Sequence, residues 1–210
     1  MNHYRKIPAV RLSSGQALRP CRNPLRITGF SLVEVLVTIV ILLIGLLGLA
    51  GLQGRALTSQ MEAYQRSQAL ILLKDMVDRI HSNRKNATQY VTANPLGTGY
   101  NGSAVLSCTA LTGSALDLCE WHNALLGASE IQGTSKVGAM IGARGCITEI
   151  NPISTNTPGL YLVAVAWQGF NSTFAPAITC GQNQYPNTTS PNEALRRVVS
   201  IPISLPYLLP

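Results

Sequence analysis

Residues 30–52 read FSLVEVLVTIVILLIGLLGLAGL, and this stretch decides the fold of the chain. Its 23 positions include a single charged side chain, Glu34, and the next charge is Arg55. At about 1.5 Å per residue, an α-helix of this length measures about 34 Å, which matches a bilayer hydrocarbon core of about 30 Å. The stretch therefore predicts a helix that spans a membrane.

The formal net charge of +7 is concentrated before this apolar stretch. Six of the sixteen basic residues precede Phe30, in a segment with no Asp or Glu, whereas ten basic and nine acidic residues follow, a balance of +1. A basic segment directly before an apolar run holds that end of the chain on the cytoplasmic side of a membrane. The basic charge therefore describes a leader, and we do not expect the remainder to bind nucleic acid directly.

The segment Ile27-Thr28-Gly29-Phe30 has the character of a cleavage site, and it lies on the basic, inner side of the apolar run. An ordinary secretory signal has a shorter apolar core and a small-residue cleavage site at its outer end. Cleavage after Gly29 would instead leave the whole apolar helix on the mature protein.

The motif GFSLVE, residues 29–34, resembles the class III signal of type IV prepilins and type II secretion pseudopilins. This resemblance implies cleavage between Gly29 and Phe30 by a membrane-embedded prepilin peptidase, followed by N-methylation of Phe30. It also implies the α+β pilin fold, in which a long N-terminal helix packs on a small antiparallel sheet.

Glu34 is a carboxylate inside the predicted span, where a charge costs about 2.5–3.5 kcal/mol on insertion scales. The amine released at Phe30 and the positive end of the helix are partners at the same depth. The resemblance implies that Glu34 pairs with the N-terminal amine of a neighbouring subunit and so fixes the axial register. The alternative is that Glu34 reaches the headgroups of the inner interface.

Three glycines, Gly45, Gly48 and Gly51, share one face of the predicted span. Small residues at this spacing let helices approach closely, as in a membrane dimer or a filament core. Tolerance of glycine on a lipid-facing surface is the open alternative.

A helical pattern without Gly or Pro continues from Arg55 to about Lys85. Its apolar and neutral positions recur at steps of three and four residues, so this half is amphipathic and one stripe should be covered by the rest of the protein. The predicted organisation is a leader over 1–29, a transmembrane half over 30–52, an amphipathic half over 53–85 and a globular head over 86–210. The predicted stripe comprises Leu57, Met61, Tyr64, Gln68, Ile71, Leu72, Met76 and Ile80.

The element Asp-Met-x-Asp-Arg-Ile, residues 75–80, is similar to the PilV group of minor pilins, described as pilus modification proteins. Asp75 and Arg79 form an i,i+4 pair that adds only a few tenths of a kcal/mol. Two interpretations stay open: a solvated helix face, or a contact of Asp75, Asp78 and Arg79 with a neighbouring pilin.

The head is predicted to contain a variable connecting region over about 86–140 and a small antiparallel sheet packed on the outer half of the helix. A short helix is expected over 115–126 and strands over 146–150, 160–168 and 196–204, the clearest being LYLVAVAWQ with Tyr161, Val163, Val165 and Trp167 alternating. Pro202 indicates that the last strand lies at an edge.

Five cysteines are present, and Cys21 leaves with the leader. The other four lie beyond the span, where an oxidising compartment favours two disulfides. Four cysteines allow three pairings, and local order favours Cys108 with Cys119 and Cys146 with Cys180. Zinc is the competing interpretation, but no CxxC pair occurs, so neither a metal nor another cofactor is expected.

No catalytic set or enzyme motif stands out in the sequence, so no enzymatic activity and no small-molecule substrate are expected. The favoured function is a minor pilin that primes or decorates type IV pili and supports adhesion, twitching motility or DNA uptake. Its expected partners are prepilin peptidase, other minor and major pilins and the inner membrane, from which the periplasmic head moves to the pilus and the cell surface. The alternatives are a minor pseudopilin of a type II secretion system and a signal-anchored periplasmic protein that never polymerises.

Overall fold

The computed structural model describes residues 29–127, 131–132, 135–136, 140–185 and 193–207. The predicted leader, with its Cys21, lies outside the described residues except for Gly29. The chain divides into two units, Met1–Gly48 and Leu49–Pro210.

One long helix, α1, runs over Leu32–Ser82. No proline interrupts the sequence between Pro24 and Pro95, and in hydrocarbon a helix satisfies all of its backbone groups within one segment. The helix is long and apolar enough to cross a membrane, and its most apolar window is entirely exposed. These properties agree with the predicted span.

The elements after α1 alternate between short helices and antiparallel strands. A 3₁₀ segment over Arg84–Tyr90 leads to β1, and a second over Tyr100–Ser103 precedes α2. The bounds are β1 Leu96–Gly97, α2 Gly113–Leu125, β2 Ile131–Gln132, β3 Ser135–Lys136, β4 Ile141–Asn151, β5 Gly159–Gln168 and β6 Arg196–Leu205.

The main sheet has the order β1-β4-β5-β6 with every neighbouring pair antiparallel, which confirms the predicted α+β fold. Within the described residues β6 lies at an edge, as Pro202 indicated. The region over 86–140 contains the expected short helix as α2, and it also contains β1 and the β2–β3 hairpin, which were not predicted. Strands of two residues are too short to show a period in the sequence.

The core joins one face of α1 to α2 and to the inner face of the sheet. The alternating residues of β5 point into it as predicted, and Trp121 of α2 lies fully buried beside them. The Trp121 indole N–H donates to the carbonyl of Leu72 at 2.9 Å. Its ring lies directly over β4, where a Cβ at Gly145 would come within 2.4 Å of it.

The predicted stripe of α1 is only partly correct. Met76 and Ile80 are buried, but Leu57, Met61, Tyr64 and Ile71 are each more than half exposed. The face that the head covers is rotated by about a quarter of a turn and consists of Gln65, Ala69, Leu73, Met76, Val77 and Ile80. Sequence alone did not separate the two stripes because both repeat at steps of three and four residues.

The outer face of the sheet is also covered at its centre. Ala164 and Ala166 are buried beneath the segment that carries Cys180. Arg196 holds this segment from β6, since its guanidinium donates to the carbonyls of Pro176, Ile178 and Cys180 and pairs with Glu193. Small alanines on β5 leave the room that this segment needs.

Candidate processing and assembly site

The predicted cleavage site lies directly before α1. Gly29 and Phe30 are outside the helix, which begins at Leu32, and the Phe30 side chain is 85% exposed. A Cβ at Gly29 would meet nothing within 4 Å, so nothing in the described chain requires glycine there. An exposed, non-helical peptide bond is accessible to a protease, and a requirement for glycine would come from the protease.

Glu34 lies in the first turn of α1 and is exposed. Among the described residues no hydrogen bond or ion pair reaches its carboxylate. A carboxylate in the first helical turn interacts favourably with the positive end of the helix. The chain therefore presents an unpaired anion at the start of its apolar stretch, available to a cation from outside.

The glycines of the span have no structural role within the described chain. A Cβ at Gly45, Gly48 or Gly51 would meet nothing within 4 Å. Each glycine weakens a helix by about 1 kcal/mol relative to alanine. Their shared face is therefore open to a helix from another molecule.

The exposed residues of the predicted stripe form a second apolar face on α1, which we call the open stripe: Leu57, Met61, Tyr64 and Ile71. Spacings of four, three and seven residues keep them on one side of the helix. Leu70 is also exposed, but it lies on another side. Above the span, α1 therefore has one apolar face packed on the head and one facing solvent.

The structure places the predicted contact residues around Arg79. Its guanidinium donates to Asp75 of α1 at 3.0 Å and to two carboxylates of α2, Asp117 at 2.9 Å and Glu120 at 2.6 Å. Asp78 lies apart from this cluster and pairs with Lys74 at the exposed surface. Arg79 thus ties α1 to α2.

Electrostatics favour the charged form of Arg79. Burial alone would lower its pKa, but the hydrogen bonds to Glu120 and Asp117 and the charge of Asp75 outweigh burial and raise the pKa above its usual range. Tyr90 donates its hydroxyl to Asp117, and burial together with this bond raises the pKa of Tyr90 to about 12. Asp117 and Glu120 lie 38 and 41 residues after Arg79, so no local sequence pattern predicts their contact with it.

Both disulfides favoured by local order are formed. Cys108 bonds to Cys119 in the middle of α2, and Cys146 of β4 bonds to Cys180. Within the described part of the chain, no group of three or more His, Cys, Asp or Glu side chains is arranged to hold a metal ion.

Two family models match this chain, one on each side of residue 50. The prokaryotic N-terminal methylation motif matches residues 25–50, which include Gly29, Phe30 and Glu34. The family described as type IV pilin Tt1218 matches residues 51–120, from the outer half of α1 into α2. No curated protein and no solved structure matches the chain. Pilin families are structural proteins. Over the matched residues, 25–120, the chain is type IV pilin-like, and its N-terminal motif is of the kind that prepilin peptidase processes.

Proposed function

We propose that the chain is a minor pilin of the PilV type that is incorporated into, or primes, a type IV pilus. Prepilin peptidase removes residues 1–29 by cutting between Gly29 and Phe30, and Phe30 is then N-methylated. The head lies in the periplasm until assembly moves the subunit to the pilus, where it supports adhesion, twitching motility or DNA uptake.

The open stripe carries this proposal. A single-pass anchor that worked alone would need only one apolar face above the membrane, the face that its head covers. Burial of a large apolar side chain contributes about 1.5–3 kcal/mol, so four such residues supply a substantial driving force for association. A contact between unlike surfaces of successive subunits produces an open filament when its rotation does not close into a ring.

Glu34 supplies the register in this proposal. Its carboxylate is unpaired within the described chain, and cleavage creates an ammonium at Phe30 of each neighbouring subunit. Pairing the two ions offsets the cost of keeping the carboxylate in hydrocarbon. The glycine face of Gly45, Gly48 and Gly51 allows the close helix approach that such pairing needs.

The surface around Asp78 remains available for contacts with other pilins. Asp75 and Arg79 are committed to the cluster on α2, so they would shape such a contact by fixing α2 rather than by touching the neighbour. Asp78 and Lys74 are exposed and contribute little to stability on their own.

A matched pair of variants tests the open stripe. Ile71 is 59% exposed on the stripe, and Leu70 is 45% exposed on another side of α1. We expect Ile71→Ser to be inserted and cut normally but to be depleted from sheared pili, whereas Leu70→Ser is incorporated like the wild type. Equal incorporation of the two variants would refute the role of the stripe.

Two further measurements test processing and location. Mass spectrometry of the mature protein should find an N-methylated Phe30 at its start, and an uncut chain would contradict the proposal. Glu34→Val should be inserted and cut but assemble poorly. Recovery of the protein from a periplasmic secretion complex, and not from sheared fibres, would favour the pseudopilin alternative.

A further inference from the structure

The loop over residues 169–176, between β5 and the segment that covers the outer face of the sheet, has a tightly held backbone. Glu62 of α1 accepts the backbone N–H groups of Phe170 and Asn171 at 3.1 and 3.0 Å. Further along, the N–H of Thr173 donates to the carbonyl of Ala194 at 2.7 Å. The other anchors are Gly169 N–H to the carbonyl of Leu195 and Arg196 to the carbonyl of Pro176.

This firmly held loop presents its aromatic rings to solvent. Phe174 is 95% exposed and Phe170 is 40% exposed. The chain has three phenylalanines, and the only one outside this loop is Phe30. The core of the head uses Tyr and Trp instead. A single exposed apolar residue is unremarkable, but here both phenylalanines of the head occupy one loop whose backbone is fixed on each side of the exposed ring.

The loop lies close to the level at which α1 leaves the membrane. The apolar run ends at Leu52, and Glu62 is ten residues further along, a rise of about 15 Å. The headgroup layer takes up about 5–7 Å of this height. Helical side chains lean toward the N-terminus, so the Glu62 carboxylate lies nearer the bilayer than its Cα atom. Glu62 therefore holds the loop backbone close to the headgroup layer, and the exposed ring of Phe174 belongs to the same loop.

The charges in this region suit an anionic lipid surface. Arg55 and Arg66 project from the same part of α1, are exposed and make no ion pair among the described residues. Glu62, the nearby acid, is occupied by the loop and by Arg197 at 3.5 Å. Aromatic residues combined with basic residues are typical of protein segments that lie in the membrane interface.

We propose that the 169–176 loop is a membrane contact, in which Phe174 inserts into the interfacial layer of the bilayer that anchors the chain. Arg55 faces the anionic headgroups, and Arg66 adds positive charge further above them. The contact holds the head against the lipid surface while the subunit waits in the membrane. It is lost when the subunit leaves the bilayer.

A tryptophan probe tests this contact. The full chain carrying Phe174→Trp is reconstituted into vesicles of phosphatidylcholine and phosphatidylglycerol, with acyl chains either plain or brominated near the headgroup. The two native tryptophans, Trp121 and Trp167, are buried in the core and give a constant background. The matched control is Ile150→Trp, because Ile150 is exposed at the opposite end of β4 from Ile141, which pairs with the end of β5 at Gln168.

We expect bromine to quench the emission at position 174 by about twofold, as for a residue that enters the interface, and to leave position 150 unchanged. Absence of quenching at 174, or equal quenching at both positions, would overturn the proposal. So would an emission change at 174 that follows added pilin subunits rather than bromine, since the loop would then be a protein contact.

Two further measurements distinguish the role of the basic residues from that of Phe174, and the membrane contact from pilus assembly. If bromine quenches the emission at position 174 equally in vesicles with and without phosphatidylglycerol, Arg55 and Arg66 have no role in the contact. Cleavage after Gly29 and incorporation into pili are measured independently, so failure of the membrane contact is distinguishable from failure of the proposed function.

Discussion

The two disulfides should contribute unequally to stability, because they close loops of different length. Cys146 and Cys180 are 34 residues apart, whereas Cys108 and Cys119 are 11 apart. In the chain-entropy model a loop of 34 residues stabilises the folded state by about 4 kcal/mol and one of 11 residues by about 3 kcal/mol. The difference of about 1 kcal/mol depends only on the ratio of the two lengths.

Replacing each pair by alanines gives a matched comparison. One cysteine of each pair is buried to the same degree, Cys119 at 4% and Cys180 at 5% exposure, so the cost of side-chain truncation nearly cancels. Urea unfolding of the full chain in detergent, followed by the fluorescence of the buried tryptophans, gives the two free energies of unfolding. We expect the variant without the 146–180 bond to lose about 1 kcal/mol more than the variant without the 108–119 bond.

This reasoning would be refuted if removing the 108–119 bond lowered the free energy of unfolding as much as, or more than, removing the 146–180 bond. That result would mean that the long segment between β4 and Cys180 is already restrained in the unfolded chain, or that other contacts hold it in the folded one. Arg196 is the anchor to examine in that case, because it binds three carbonyls of the same segment. Hydrogen exchange of residues 176–180 in the double-alanine variant distinguishes the two explanations.

Three more predictions concern the core. The buried Oε1 of Gln65 has no hydrogen-bond partner, so Gln65→Met should raise the free energy of unfolding by about 1 kcal/mol in urea titrations. Gly145→Ala should lower it by about 1–3 kcal/mol, because the new Cβ would overlap the Trp121 ring; unchanged stability would contradict this packing. Burial and a hydrogen bond to Glu149 raise the pKa of Tyr161 to about 12. Tyr161 therefore makes its full contribution to the free energy of unfolding below a pH of about 10, and this contribution is lost as the pH rises toward about 12. Tyr161→Phe should make the fall in the free energy of unfolding at alkaline pH less steep.

The elements predicted well from sequence are those with a long, simple pattern. The apolar run before Arg55 indicated α1, and strict alternation in Tyr161, Val163 and Val165 indicated β5 and its inward face. The pairing of cysteines followed from chain order because each bond closes a local loop. These signals are local, so no tertiary information was needed to interpret them.

The face of α1 that the head covers above the span could not be predicted in the same way. Leu57, Met61 and Tyr64 are more apolar than Gln65 and Ala69, yet the head covers the second set. Hydrophobicity marks a face that avoids water, and it does not say whether the cover comes from the same chain. The most apolar stripe was therefore assigned to the core, whereas in this structure it is left open.

Only one of the ion pairs that Arg79 forms could be predicted from the sequence. Its i,i+4 spacing from Asp75 indicated a pair, but the carboxylates of Asp117 and Glu120 approach through tertiary packing. The coverage of the outer face of the sheet had one signal that was overlooked, the small residues Ala164 and Ala166 among larger neighbours on β5. Small side chains inside a strand make room for another segment of chain.

Pro202 limits the association of neighbouring molecules through the sheet edge formed by β6. β6 presents the outer rim of the sheet over ten residues, with Ile201 and Ile203 beside the proline. Such a rim invites another chain to add a strand, the usual start of aggregation. Proline has no N–H to give, so a foreign strand laid along β6 would meet a gap in its ladder midway. In the filament proposed above, Pro202 would oppose association through the sheet edges and leave the helices as the surfaces through which subunits join.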